Sequence, residues 1–483
     1  MMNILGLLMA LMLPAILGFS WLHLFWRDSH LAVKIGYGYL LGIFTVTIIL
    51  QVWNRIGYPL VFSHIAALIA LLSIMPFLFK ADLSGNSTKS LVYVSFDARW
   101  QKIMWGAFLA ILAVRYSNIF LEVMWRPLYP WDAWMNWAPK AKTWFELKAI
   151  VPFVGESVWT IENSQHNVYT LGNPVAASDY PPLVPLIQTW TALGLGVWID
   201  NVVNIPWVLC AVAVGLAFYG QGRMLGVKPH FAMTAVYLLL SLPYINAHTA
   251  LAGYADLWLA SFYCLAVMAF INWSLTKNKT QAALMLIFSL ACIQTKNPGI
   301  IWAATLLPAI FLSLLPGRWR YMFLVSALVS CAIWYNIGGF SVNVPGIGLL
   351  SITPEFIAIP GIGSFTIEYH QVTEAFVMNG LIWGNWHILG WLVLMLFFPV
   401  LVNNIRIMPL LAPSILLLCG ILFVYFVFFF TSHHQAAIDN TTINRASIHM
   451  LPALIYYVLL FYPHDDRCDI LATLNVEKEP VNV

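Results

Sequence analysis

Asp132 is the only acid between Glu122 and Glu146, and it stands in the stretch "RPLYPWDAWMNWAPKAKTWFE" (126–146) with Lys140, Lys142 and four tryptophans. A carboxylate can act as a general base, and ammonium or guanidinium groups can hold an anion. Four shorter stretches carry the same kinds of group. They are "SDYPPLVPL" with Asp179, "AGYADLWLA" with Asp256, "QTKNPG" with Lys296, and "INRASIHMLPAL" with Arg445. Ionisable residues close to a membrane are costly and usually mark a site. Each has a plainer reading: Asp256 could cap a helix, and Lys296 and Arg445 could extend their charges to the interface.

The elements that must position these residues are membrane helices. The chain has 483 residues, 61% hydrophobic and 9% charged, against about 25% charged in a soluble domain. That excludes a large water-soluble domain. No basic run suggests nucleic-acid binding. The six cysteines form no CxxC pair, so neither a disulfide framework nor a zinc site is indicated. The first apolar run lacks a basic leader and a clear cleavage site and reads as a retained span. At roughly 20 apolar residues per crossing, the sequence predicts an all-α polytopic protein with about thirteen spans.

Charge placement sets the expected sidedness. With the apolar run 182–198 not crossing and lying in the interface, most of the 23 lysines and arginines fall on one side, among them Arg27, Lys34, Arg223, Lys228, Lys279 and Arg318. That side is then cytoplasmic. The long external loops are 125–200 and 339–384, and the basic residues left outside cluster in 126–148. Within that cluster the helical period puts Asp132, Asn136, Lys140 and Thr143 on one face. Trp134, Trp137, Ala141, Trp144 and Phe145 lie opposite, as an anchor at headgroup depth. Pro139 interrupts the ladder between them.

These motifs, in this order and on one side, resemble the GT-C superfamily of membrane glycosyltransferases, which includes the lipid A aminoarabinose transferase and the protein O-mannosyltransferases. "PWDAW" is similar to the acidic motif of the first external loop, "DYPPLVPL" to the element where the chain returns, and "GRMLGVKP" (222–229) to a basic cytoplasmic turn. "TKNPG" and "NRASIHMLPAL" resemble a Lys-bearing element and the Arg-bearing start of a late span. The resemblance covers about 103–463. It departs in the additional spans at 1–102 and in lacking a paired second acid in the first loop; residues 464–483 read as a cytoplasmic tail.

The resemblance implies a GT-C-like bundle with in-plane helices in the first external loop. It implies a polyprenyl-phosphate sugar as donor and a glycan, lipid or protein acceptor, on the outer side of a bacterial inner membrane. Asp132 would be the catalytic base, with Asp179 a second candidate acid. Lys296 and Arg445 would hold the donor phosphate, with Lys140 and Lys142 adding charge. Tyr180, Trp131, Asn136 and Asp256 would bind substrate. No cofactor is expected. A divalent metal could use Asp132, Asp179 and His166, or His433 and His434, but no spacing such as HExxH is present, so none is predicted. The rival functions are a transporter or flippase for a lipid-linked sugar, suggested by Arg115 and Asp256, and an O-antigen polymerase or ligase.

Overall fold

The computed structural model describes residues 2–78, 96–162, 168–172, 177–345, 348–360, 363–405 and 408–460. The protein is about 74% helical. It forms two units, Met1–Ile300 with Ile455–Val483, and Ile301–Leu454.

The first unit opens on α1 (Ile4–Phe25) and α2 (Leu31–Arg55), capped by the side chains of Asn3 and His30. Small residues let this pair approach. A Cβ on Gly18 would lie 1.9 Å from the Gly38 carbonyl oxygen, and one on Gly42 would lie 1.7 Å from that of Pro14. Membrane helices pack through such contacts, because lipid tails supply no hydrophobic force between two apolar helices. There follow α3 (Phe62–Leu78), α4 (Arg99–Trp125), a π-helical turn (Ala133–Trp137) running into α5 (Ala138–Leu147), α6 (Glu156–Glu162) and α7 (Leu183–Leu195). Next come α8 (Ile205–Met224), α9 (Pro229–Ser241), α10 (Pro243–Ala250), α11 (Asp256–Thr276) and α12 (Lys279–Thr295). α1 packs on α2, α3 and α7, and α8 packs on α2, α9 and α11. Residues of 1–102 are thus built into the same unit as the helices that follow them. Trp258, Phe262, Tyr263 and Phe270 of α11 are fully buried, and the Tyr37 hydroxyl crosses from α2 to donate to the Leu265 carbonyl at 3.1 Å.

Six helices among the described residues are long and apolar enough to cross a membrane: α1, α2, α4, α8 with its preceding turn, α11 and α19 (Met408–Phe430). The protein therefore reads as a multi-pass membrane protein, but the expected thirteen spans are not borne out. Prolines and polar breaks divide several apolar runs. At 231–248 the helix bends by 60° between α9 and α10. Pro243 has no N–H to donate and pushes the preceding Leu242 to φ −58, ψ 128. α7 has 13 residues, all buried. At about 1.5 Å per residue it is too short for a bilayer core of about 30 Å. It lies within the first unit, and its length agrees with the expectation that 182–198 does not cross.

α13 (Pro298–Ala304) leads into the second unit, which contains α14 (Leu306–Leu314) and α15 (Trp319–Asn336). Then come β1 (Phe340–Val344), β2 (Gly348–Ile352), β3 (Phe356–Ile359) and β4 (Gly363–Thr366). The unit continues through α16 (Thr373–Val377), α17 (Leu389–Leu392), α18 (Phe398–Ile405), α19, α20 (His434–Ile438) and α21 (Ile443–Leu459), the last of which runs on into the first unit's C-terminal segment. α14 and α18 pack on α19, and Trp302 sits edge-on to Phe423 and His449 at 5.1 and 5.6 Å.

The four strands form one antiparallel sheet in sequence order, so the all-α expectation is corrected for 340–366. Short runs rich in Phe, Ile and Val between the turn sequences "VPGIG", "TPE" and "IPGIG" favour hairpins. The tail 464–483 lies outside the described residues.

Candidate functional site

The stretch from Trp131 to Leu147 is helical throughout but not regular. The Pro130 carbonyl accepts from the N–H groups of Ala133 and Trp134 at 2.9 and 3.2 Å. The Ala138 N–H then reaches back five residues to the Ala133 carbonyl. Pro139 follows and cannot donate, so the ladder widens by one residue just before it. The widened turn resets which side chains face inward. Asn136, Trp137 and Lys140 are all buried, and so are Ala141, Trp144 and Phe145.

The expected tryptophan anchor is therefore corrected. α5 packs on α7, where Thr189 donates its hydroxyl to the Ala141 carbonyl at 3.2 Å. Trp137 and Trp144 belong to the protein core, and Trp131 and Trp134 are the exposed pair. Burial against protein and burial against lipid follow the same periodicity, which is why the sequence pattern misassigned them.

Lys140 and Asn136 hold the turn that bears Asp179. The Lys140 ammonium donates to the carbonyls of Ala177 and Ser178 at 2.9 and 2.7 Å. The Ala177 N–H donates to Asn136 Oδ1 at 2.8 Å. Burial pulls the Lys140 pKa down to about 8, while the Asp179 charge works against that shift. Asp179 itself is exposed and accepts from Asn297 Nδ2 at 3.3 Å. Tyr180 stacks on Trp137, ring centres 5.3 Å apart.

Asn297 is the neighbour of Lys296, whose extended backbone joins α12 to α13. Lys296 Nζ lies 3.0 Å from Asp256 Oδ1, and the two side chains are only 11% and 1% exposed. Asp256 is the first residue of α11. The turn before it contains Gly253 at φ +110, where a Cβ would come within 2.5 Å of Ala133 Cβ. Ala133 follows Asp132, which is half-buried.

The contacts therefore close into a ring: helix 131–147, turn 177–180, Asn297 with Lys296, Asp256, Gly253, and back to the helix beside Asp132. Four of the five stretches singled out in the sequence meet in it. The helix ends around it, at Trp125 of α4, Ile205 of α8, Asp256 of α11 and Thr295 of α12, gather it at one end of the first unit's helices. Beside it lies a cavity of about 10 Å³ lined by residues including Arg126, Tyr129, Pro130 and Ala252, room for about one water. The buried Trp137 indole N–H has no hydrogen-bond acceptor among the described residues.

The remaining predicted residues are placed elsewhere or differently. Lys142 is exposed. Arg445 is in the second unit, on α21 after the buried Asn444, which donates to Asn379 and accepts from the Trp386 indole. His166 lies outside the described residues. His434 stacks on His370 at 3.5 Å, but no group of three metal-ligating side chains occurs among the described residues. Sequence reasoning passed over Asn297 and Gly253, although both stand within quoted motifs. A glycine one residue before "YAD" and an amide beside the lysine were the signals.

Chemically, the ring offers two carboxylates with solvent access, Asp132 and Asp179. Its cations are already engaged, Lys296 by a carboxylate and Lys140 by two carbonyls. No protein-family model, curated protein or solved structure matches this chain.

Proposed function

We propose that this protein is a membrane glycosyltransferase of GT-C-like arrangement. It takes a sugar from a polyprenyl-phosphate donor and places it on an envelope glycan, lipid or protein. The observation that carries the reading is the ring itself: acidic and basic motifs far apart in the sequence meet where membrane helices end, the depth at which a lipid-linked sugar–phosphate bond lies. In this reading the ring faces the extracytoplasmic side of a bacterial inner membrane.

The acceptor hydroxyl attacks the anomeric carbon and its proton passes to Asp132. The bond from that carbon to the phosphate oxygen breaks with inversion, and the lipid phosphate leaves with the bonding electron pair. Positive charge near the leaving oxygen lowers the barrier, a task for Lys296, with Lys142 adding charge. A donor phosphate approaching Lys296 competes with Asp256 for it. Lys140, expected to bind phosphate directly, instead serves by holding the Asp179–Tyr180 turn. Trp131, Asn136, Tyr180 and Asp256 shape the substrate side of the ring. No metal or cofactor enters these steps.

A second reading rests on the break between α9 and α10, beside which Asn246, His248 and Thr249 are buried. Discontinuous membrane helices are common at the binding sites of transporters, and a carrier of lipid-linked sugars would also bind this donor.

Proteoliposomes given a radiolabelled polyprenyl-phosphate sugar and crude envelope acceptor separate the two. A transferase forms a new glycoside, and Asp132→Asn lowers its rate by about 10²–10⁴-fold, the usual worth of a general base. A transporter moves label across the bilayer without forming one. Transfer at the wild-type rate by Asp132→Asn, with the protein folded, removes Asp132 from the role.

A further inference from the structure

The four-stranded sheet of the second unit leaves its apolar face uncovered. Register places Phe340, Ile352, Ile357 and Phe365 side by side in one cross-strand row. Val342 and Leu350 pair on the same face in the next row. None of these six is buried, and Phe340 and Val342 are 46% and 53% exposed. The adjacent row on the opposite face is Ser341, Ser351, Ala358 and Ser364. Its central members, Ser351 and Ala358, are the sheet's buried residues. An antiparallel sheet in water buries its large apolar face and leaves polar groups outside. Here the covered residues are the small Ser351 and Ala358, while the six large residues of the apolar face stay partly or fully exposed, Phe365 beside His433 with ring centres 6.2 Å apart; the opposite face also carries the exposed Leu349.

Two connections fix where this open face lies. After β4 the chain is tied to the end of α19, a candidate membrane span. The Glu368 N–H donates to the Phe430 carbonyl at 3.2 Å, and the His370 N–H donates to that of Phe429 at 2.8 Å. Before β1 the chain comes from α15, an apolar helix with no buried residue, whose Trp334 indole donates to the Ile352 carbonyl at 2.8 Å. The sheet is thus held at the level where a candidate span ends and is continuous with an apolar helix that has no buried residue. From Gly338 to Ile367 the sequence contains a single charged residue, Glu355.

We propose that the Phe340–Phe365 face is a membrane-docking surface seated in the bilayer at the boundary of headgroups and acyl chains. The lipid bilayer is the occupant because nothing charged interrupts the face and a span end sets its depth. The depth is limited, since β1 and β4 each leave an edge of unpaired backbone groups that hydrocarbon cannot satisfy. The face therefore enters side-chain first, with both edges kept among the headgroups, as amphipathic helices do in the interface.

The test uses the full-length protein, with Cys331→Ser and Cys468→Ser, in phospholipid vesicles. Nitroxide labels are attached at Val342→Cys and Ile357→Cys on the open face, and at Ser341→Cys and Ser364→Cys on the opposite one. Relaxation by oxygen, which concentrates in lipid, is compared with relaxation by a water-soluble nickel chelate. Seated in the bilayer, positions 342 and 357 respond to oxygen and lose the nickel response, while 341 and 364 show the reverse. Equal access to nickel on both faces places the sheet in water and overturns the proposal. Loss of both responses at 342 and 357 means that a second copy or another protein covers the face, which also overturns it. The two label pairs share one fold, so each controls for the other.

Discussion

Asp256 and Lys296 illustrate what a residue costs and gains inside this protein. Each alone would be a buried charge of high energy, and together at 3.0 Å they neutralise one another. Removing one partner of such a pair costs about 3–5 kcal/mol, because the other is left uncompensated. Asp256→Asn and Lys296→Met are each expected to lower stability by that order, and the double variant by clearly less than the sum. Thermal unfolding in detergent measures the cycle, and additive losses would mean that the two side chains do not act as a pair. Lys140 makes a different prediction. The folded chain releases its proton near pH 8, whereas the unfolded chain holds it to about 10.5. Between those values the unfolded state binds more protons, so this group's contribution to stability rises as pH climbs from about 8 to about 10.5. The neutral amine still has two N–H groups for its two carbonyl acceptors. Relative to Lys140→Met, the wild-type protein should therefore gain melting temperature across that window. A relative loss would show that the charged form is the favoured one.

At the scale of elements, the site depends on two backbone features that no side chain supplies. The π-helical turn before Pro139 rotates Asn136 and Trp137 inward, and the φ of +110 at Gly253 lets the turn before α11 lie against Ala133. That φ is open to glycine and strained for other residues. Gly253→Ala adds both strain and a 2.5 Å clash with Ala133. The expected loss is about 1–3 kcal/mol in stability, with the ring opened between α11 and helix 131–147. Cross-linking of cysteines placed at Ala133 and Tyr254 should fall in that variant, and unchanged cross-linking would show that the contact is not needed. The ring's remaining links are hydrogen bonds, one ion pair and one ring stack between loops and helix ends, so an opened contact on one side need not melt the helices.

At the scale of the whole molecule, the ring has to face one side of the membrane. Asp200 lies exposed just before α8 and Lys279 exposed at the start of α12. α8 and α11 are both candidate spans, and the distribution of lysine and arginine puts Lys279 in the cytoplasm. With Cys331→Ser and Cys468→Ser, a membrane-impermeant maleimide added outside intact cells should label Asp200→Cys and spare Lys279→Cys. The reverse pattern would turn the ring to the cytoplasm and remove an extracytoplasmic donor from consideration.

The amino-acid sequence by itself determined the membrane class, because a composition so poor in charge has no soluble alternative. It also picked out Asp132, Asp179, Asp256 and Lys296, because an ionisable group in such a chain is conspicuous whatever surrounds it. Tertiary structure decided everything that depends on which apolar surface meets which. Lipid and protein interior have the same hydropathy, so the periodicity around Trp137 and Trp144 could not say that they meet Tyr180 and Phe153 and not the bilayer. The span count failed for a related reason: total apolarity does not reveal that Pro243 breaks one run or that α7 is a short helix enclosed by others. The partners of Lys140 and Lys296 come from 37 and 40 residues away, and no local pattern encodes a contact of that reach. The sheet was legible only as turn sequences. That its large apolar side chains stay partly or fully exposed while Ser351 and Ala358 are covered is a property of register and packing, and those exist only once the chain has folded.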